Sequence, residues 1–505
     1  MFTKINAATN IGLDSSLVEV EADFSPSEQP KFIIVGLTDI AIQEARERVR
    51  LAVINSGFSF PRPKVIVSLA PADLKKEGPS YDLAIALAVI IANQELRGDF
   101  SDSIFIGELA LNGETRATTG ILPIALFAKE HGYKNLFVPA ANIEEASLIP
   151  DLKIFPVKNL RELISHLRQE KLITPIISSQ LNFFEEQMPT DVDMKFVAGQ
   201  EQAKRALEIA AAGFHNVLMS GPPGSGKTLL ARTLPTILPP MSEAEVLEVT
   251  KIYSIAGLLS KEKPLINTRP FRSPHHTSSG VALVGGGKLP KPGEISLAHR
   301  GILFLDEFPE FPRVVLENLR QPLEDGKIAI SRAQGTLIFP ARFTLVASQN
   351  PCPCGYYNDP EKKCTCTAIQ ISKYQKKISG PIIDRIDLHI TVPRINFEKL
   401  TANNETTESS AQIRERVILA QQAQQKRFAG MNIRYNSEMR PQDLKQFCVI
   451  DQASSQLLEK AVAQLHLSAR SFHRILKIAR TIADLSGKDT IELNHLAEAL
   501  QYRPQ

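Results

Sequence analysis

Gly221-Pro222-Pro223-Gly224-Ser225-Gly226-Lys227-Thr228 is the stretch on which the reading of this chain turns. It follows a short apolar run, Val217-Leu218-Met219, and opens a run of helix formers, Leu229-Leu230-Ala231-Arg232. In that strand–loop–helix setting the pattern G-x-x-x-x-G-K-[ST] is a phosphate-binding loop. Gly221, Pro222, Pro223, Gly224, Ser225 and Gly226 form the turn, whose backbone N–H groups converge on phosphate oxygens at a helix N-terminus. Lys227 is placed to reach the β- and γ-phosphates, and Thr228 to offer its hydroxyl to Mg²⁺. A chance glycine-rich turn would not fill all four fixed positions in this setting. The loop predicts binding of a nucleoside triphosphate such as ATP.

Working outward, Gly301-Ile302-Leu303-Phe304-Leu305-Asp306-Glu307 reads as a parallel strand buried on both faces. Ligands of such sheets sit beyond the C-terminal ends of the strands, where the acidic pair falls. Asp306 is expected to hold Mg²⁺, and Glu307 to orient and deprotonate the attacking water. The next strand, residues 342–348, ends at Gln349-Asn350, which places Asn350 to bond the γ-phosphate or that water.

The chain has 505 residues, too many for one core. Its 43% hydrophobic and 22% charged residues are those of an ordinary globular protein. The longest apolar candidate, residues 83–92, is too short to span a bilayer, and the N-terminus lacks the regions of a signal peptide. A cytoplasmic location without membrane partners is expected. With a net charge of only +3, nucleic-acid binding would have to come from local basic loops.

Residues 1–168 alternate strand-like and helical runs and form an α+β domain. Within it, Gly78-Pro79-Ser80 and Gly107-Glu108-Leu109 resemble the proteolytic domain of Lon. The position that corresponds to Lon's activating lysine is Leu122, and a serine without a base is a weak nucleophile. The expectation is a Lon-like scaffold without protease activity, with Ser80 capping the following helix. Residues 169–194 read as a linker. Residues 195–395 carry the ATPase core, and residues 396–505 a helical lid that includes a Gln-rich helix at 411–428. The tail, 441–502, is expected to be helical throughout, with Lys477 and Arg480 on a solvated face.

Two insertions interrupt the ATPase core. One runs from Arg269 through His275-His276 to Lys288; adjacent histidines are expected to point apart, which argues against a metal site. The other, residues 327–339, alternates like a β-hairpin with a polar tip near Arg332. Lys288 and Arg332 are the candidate DNA contacts, and a pair of ordinary surface hairpins is the alternative.

Cys352, Cys354, Cys364 and Cys366 form C-x-C-x₉-C-x-C, with Cys448 apart. The loop between the pairs is polar and turn-rich, so it has no core of its own. In a reducing compartment a structural Zn²⁺ held by four thiolates would staple it. The spacing departs from the commoner C-x₂₋₄-C pairs, and disulfides or free thiols are the alternatives.

With these motifs the chain resembles the magnesium-chelatase-like AAA+ ATPases, and within them the YifB/ComM group of competence-associated DNA helicases. The marks are Arg269-Pro-Phe-Arg-Ser-Pro-His-His276, Ala298-His-Arg-Gly301, Ile330-Ser-Arg-Ala333, Asn350-Pro-Cys-Pro-Cys-Gly355, Asp384-Arg-Ile-Asp387 and Ser468-Ala-Arg-Ser-Phe-His-Arg474. The resemblance implies an α/β fold, a P-loop αβα sandwich with a C-terminal helical lid behind the Lon-like domain. It implies that Arg385 is the arginine finger and Arg470 the second sensor. It also implies a homo-hexameric ring that acts on single-stranded and branched DNA alongside recombination proteins, driving branch migration of incoming DNA in natural transformation. A magnesium-chelatase motor subunit and an ATP-dependent protease or unfoldase are the rival functions.

Overall fold

The computed structural model describes residues 2–504, except 26–30, 37–38, 62–63, 75, 77, 178–191, 261, 288–289, 333–334, 395–407 and 466. Two compact units emerge, one comprising Met1–Phe183 and Glu243–Ile266, the other Phe184–Ser242 and Asn267–Gln505.

The first unit is built on nine strands: β1 (Thr3–Ile11), β2 (Asp14–Ser25), β3 (Phe32–Val35), β4 (Lys64–Ala70), β5 (Ser103–Phe105), β6 (Glu108–Leu109), β7 (Thr115–Arg116), β8 (Asn135–Pro139) and β9 (Lys153–Val157). Seven of them make a mixed sheet in the order β3-β4-β2-β1-β5-β8-β9. β1 and β2 run antiparallel and β5, β8 and β9 parallel, as an α+β domain requires. The helix Asp82–Ala92 is buried along its whole length, which is why its sequence is apolar all round. Ser80 does not cap it. Tyr81 occupies the N-cap without a side-chain bond, and the Ser80 carbonyl accepts the Gly107 N–H at 2.9 Å. Asp82 is the buried polar group of the first turn. It takes Arg48 Nε at 2.5 Å, and burial pushes its carboxyl up against that pairing.

Leu122 is fully buried. Lys129 is partly exposed and pairs with Asp151 at 3.2 Å, so no lysine on this helix is set up to activate a serine.

The chain returns to this unit at residue 243. The helix Glu243–Ala256 buries Val246, Val249 and Ile252, and its Ser254 hydroxyl donates to Glu145 Oε1 at 2.5 Å. Glu145 also accepts the Leu122 N–H at 2.9 Å, and burial pushes its carboxyl up.

The second unit holds β10 (Val217–Ser220), β11 (Phe271–Arg272), β12 (Gly285–Gly286), β13 (Lys291–Pro292), β14 (Ile302–Leu305), β15 (Lys327–Arg332), β16 (Gly335–Pro340), β17 (Thr344–Gln349) and β18 (Leu388–Thr391). Its five-stranded sheet, β11-β14-β17-β10-β18, is parallel throughout. β14 is fully buried, as its unbroken apolar sequence demands. β15 and β16 pair as the hairpin the alternation predicts. All five main strands therefore end at one edge and begin at the other, and this polarity sorts the functional residues.

The lid consists of the helices Ser410–Arg427, Pro441–Phe447, Gln452–Leu465, Ala469–Leu485 and Leu493–Gln501, so the tail is four helices rather than one continuous run. Its apolar faces join the sheet in one core that includes Met219, Phe304, Ile413, Ile475 and Ile482. Lys477 and Arg480 are not on a solvated face. Arg480 is 1% exposed and bonds Asp484 Oδ1 at 2.9 Å, and Lys477 Nζ donates to the Ser437 carbonyl at 2.7 Å. Both lie where the helix Ala469–Leu485 is packed by segments distant in sequence.

Candidate nucleotide site and cysteine metal centre

The loop 221–226 leaves the C-terminal end of β10. Gly221 is required by contact: a Cβ there would lie 2.1 Å from the Val392 carbonyl oxygen. Gly226 is required by conformation, standing at φ +90 as the residue before the helix Lys227–Ile237. Around Gly224 and Gly226 an added Cβ would meet nothing within 4 Å, so the turn encloses open space. That space is a cavity of about 360 Å³ lined by Pro223, Lys227, Thr228, Asp306, Glu307 and Asn350, among others. Three motifs spread over 130 positions thus meet at one sheet edge.

Lys227 Nζ spends its hydrogens on the Gly221 and Pro222 carbonyls, at 2.8 and 2.9 Å, with Asn350 Oδ1 at 3.4 Å. Burial pulls the lysine pKa down, opposed by Asp306 and Glu307. An ammonium that folds back on its own loop is ready to turn to phosphate oxygens. Thr228 Oγ1 donates to Asp306 Oδ2 at 3.1 Å, which joins a hydroxyl and a carboxylate, the hard oxygen ligands suited to Mg²⁺. Ser348 Oγ also donates to Asp306, a contact that sequence reading missed although Ser348 ends the strand it identified.

Glu307 follows at φ +51, and its Oε2 lies 3.3 Å from His276 Nδ1. The two histidines do not point apart: their rings are tilted with centroids 4.1 Å apart. Gln200 is a second omission. Its Nε2 donates to the Ser225 and Pro393 carbonyls at 3.2 and 2.7 Å, bracing the loop.

Arg385 and Arg470 are elsewhere. Residues 384–387 lead into β18, which pairs in parallel with β10, so they stand at the edge where strands begin. The length of β10, about 13 Å, separates them from their own phosphate loop. There Arg385, Arg470 and Arg474 line a second cavity of about 820 Å³. Arg385 pairs with Glu324 and donates from Nη1 to the Pro381 carbonyl at 2.6 Å. Lys288 lies outside the described residues, and of Arg332 only its backbone position at the end of β15 is described.

The four cysteines come together. Their sulfurs lie within 4.8 Å of one another, the only such grouping of His, Cys, Asp or Glu among the described residues. Cys352, Cys354 and Cys364 are 3.4, 3.6 and 3.8 Å apart and unbridged. Four sulfurs arranged tetrahedrally at 2.3 Å from Zn²⁺ would be about 3.8 Å apart, so the donor set fits that ion. Backbone N–H groups of Tyr356 and Thr365 pull the Cys354 thiol down to about 5. Cys448 is buried apart from them, and burial pushes its thiol up to about 12. The cysteine turn touches the phosphate loop, since a Cβ on Gly355 would lie 2.5 Å from Pro223 Cδ.

Comparison with known proteins places the chain in a family. The family described as Magnesium chelatase, subunit ChlI matches residues 193–400, and Subunit ChlI of Mg-chelatase matches 20–142. The C-terminal family of the same subunit matches 407–503. Competence protein ComM of Haemophilus influenzae is 42% identical over 99% of this chain and 97% of its own length. The chain belongs to the YifB/ComM family of magnesium-chelatase-type AAA+ ATPases. Another full-length relative is YifB of Salmonella typhimurium, described as uncharacterized and 41% identical over 99% of this chain and 96% of its own length. The Magnesium-chelatase 38 kDa subunit of Cereibacter sphaeroides is 28% identical over only 31% of this chain. Members of the YifB/ComM family are ATPases, and the phosphate loop, Asp306 and Glu307 line one cavity here. No helix among the described residues is long and apolar enough to cross a membrane.

Proposed function

We propose that this protein is an ATP-driven DNA translocase or helicase that works as a homo-hexameric ring and promotes branch migration of incoming DNA. The observation that carries the ring is the separation of Arg385 and Arg470 from their own phosphate loop by the length of β10. A guanidinium that cannot reach its own γ-phosphate acts on a neighbour's, so each site is complete only between subunits. The DNA substrate is supported by the likeness to a competence protein over the whole chain. Lys288 and Arg332 are the proposed channel contacts, where cations would meet phosphates.

In hydrolysis, Lys227 turns from the Gly221 and Pro222 carbonyls to the β- and γ-phosphates. Thr228 and Asp306 would hold Mg²⁺, which would supply positive charge against the triphosphate. Glu307 takes the proton of the attacking water, Asn350 orients the γ-phosphate, and Arg385 with Arg470 of an adjacent subunit offset the charge that develops.

DNA-stimulated ATP turnover in the purified protein tests this reading. Lys227→Ala should abolish nucleotide binding, whereas Glu307→Gln should bind and not turn over. Turnover that ignores forked and single-stranded DNA would move the assignment to a chelatase motor. That second reading is favoured by the family descriptions but by a subunit likeness over only 31% of the chain.

A further inference from the structure

Two residues precede the phosphate-loop strand, His215 and Asn216, and neither belongs to a recognised motif. Asn216 meets the finger segment on three counts. Its Nδ2 donates to the Arg385 carbonyl at 2.9 Å, and its own carbonyl accepts the N–H groups of Asp387 and Leu388 at 3.0 and 2.9 Å. Its Oδ1 accepts the Leu345 N–H at 2.8 Å, tying in β17, the strand that leads to Asn350. His215 is fully buried beside it. Its Nδ1 lies 3.0 Å from Asp387 Oδ2 and its Nε2 2.8 Å from Thr481 Oγ1 on the lid helix. From the same helix, Arg474 Nη1 donates to the Ile386 carbonyl at 2.5 Å. Consecutive carbonyls, 385 and 386, are therefore each taken by a side chain from a different element.

Among the described residues the guanidinium of Arg385 bonds Glu324 and the Pro381 carbonyl. How far that guanidinium can reach toward another subunit depends on where the backbone of residue 385 is held, and Asn216 holds it from the start of β10. The geometry points to Asn216 as the positioning residue for Arg385: it fixes the finger to the strand whose other end carries the phosphate loop. This inference rests on the reading of Arg385 as a finger acting on the adjacent subunit. A residue in that role belongs structurally to one subunit's nucleotide strand and kinetically to its neighbour's site.

Asn216→Asp and Asn216→Ala separate the two amide functions. The aspartate keeps an acceptor for Leu345 and loses the donor to Arg385; the alanine loses both. Both variants are expected to lower ATP turnover about 10- to 100-fold, the cost of a misplaced catalytic group. KM for ATP and binding of a non-hydrolysable ATP analogue should stay within about twofold, because the subunit's own phosphate loop is intact. A melting curve for Asn216→Asp guards against a folding defect, and if Asn216→Ala does not fold the aspartate alone decides. Mixing Asn216→Asp subunits with Lys227→Ala subunits should restore turnover, since the second partner supplies a well-placed Arg385. The control is Arg385→Ala mixed with Lys227→Ala. If that control also regains activity while Asn216→Asp turns over at the wild-type rate, or is not rescued, Asn216 is not the positioning residue and the finger reading stands. If the Arg385→Ala control gains nothing, the finger reading falls and takes this inference with it.

Discussion

Asp484 is the residue on which the lid's buried charge converges. Arg427 Nη1 donates to its Oδ2 at 2.9 Å, Arg480 reaches Oδ1 at 2.9 and 3.1 Å, and Asn436 Nδ2 bonds Oδ2 at 2.8 Å. Its side chain is 1% exposed, as is that of Arg480. Removing one partner of a buried pair leaves uncompensated charge, a loss of about 3–5 kcal/mol. Asp484→Ala is therefore expected to lower stability by that order in denaturant titration, more than Asp484→Asn, which keeps the shape and part of the hydrogen bonding. Nothing local in the sequence announces this cluster. Arg427 and Asn436 are 57 and 48 positions away, so the basic residues of the helix Ala469–Leu485 look like an ordinary solvated stripe. The same holds for His276, whose partner Glu307 lies on another element. Residues of the phosphate loop are legible because their spacing within eight positions is itself the chemistry. Asn216 and Gln200, which brace those residues from outside the motif, leave no such mark.

Among the elements, the cysteine segment makes the sharpest prediction. Its four sulfurs gather within 4.8 Å of one another, three of them at separations close to those of a tetrahedral zinc thiolate, on a segment that starts two residues after Asn350 and whose Gly355 abuts Pro223. Protein purified without chelator should contain about one zinc per chain by metal analysis. Cys352→Ser combined with Cys364→Ser should remove it and lower both melting temperature and turnover. A metal-free native protein with four titratable thiols would refute the site. Spacing foretold this grouping, just as alternation foretold the β15–β16 hairpin and an apolar run foretold β14. β1 was invisible because Asn6, Ala7, Ala8 and Asn10 are poor strand formers; β2 pairs with it along its whole length and supplies what its composition lacks. The apolar run 104–111 divides into β5 and β6, between which Gly107 exchanges backbone bonds with Ser80 and Leu83.

For the molecule as a whole, family likeness captures the order of parts along the chain but not the route the chain takes through them. The helix Glu243–Ala256 arrives after the phosphate loop in sequence and nonetheless belongs to the first unit, packed against the helix Ile121–Glu130. No change of composition at residue 243 or 266 signals the excursion, because a buried amphipathic helix looks the same whichever core it serves. A fragment ending at residue 183 is expected to expose the face that Val246, Val249 and Ile252 cover, and to leave Glu145 without the Ser254 hydroxyl. It should bind an apolar dye and unfold without cooperativity, whereas the same fragment fused through a short linker to Glu243–Ile266 should unfold in one transition. A ribosome translating this chain has therefore released the whole phosphate loop before the first unit can close. The amino-terminal unit waits on its successor, and a nascent chain stalled anywhere before residue 266 is an unfinished protein at both ends.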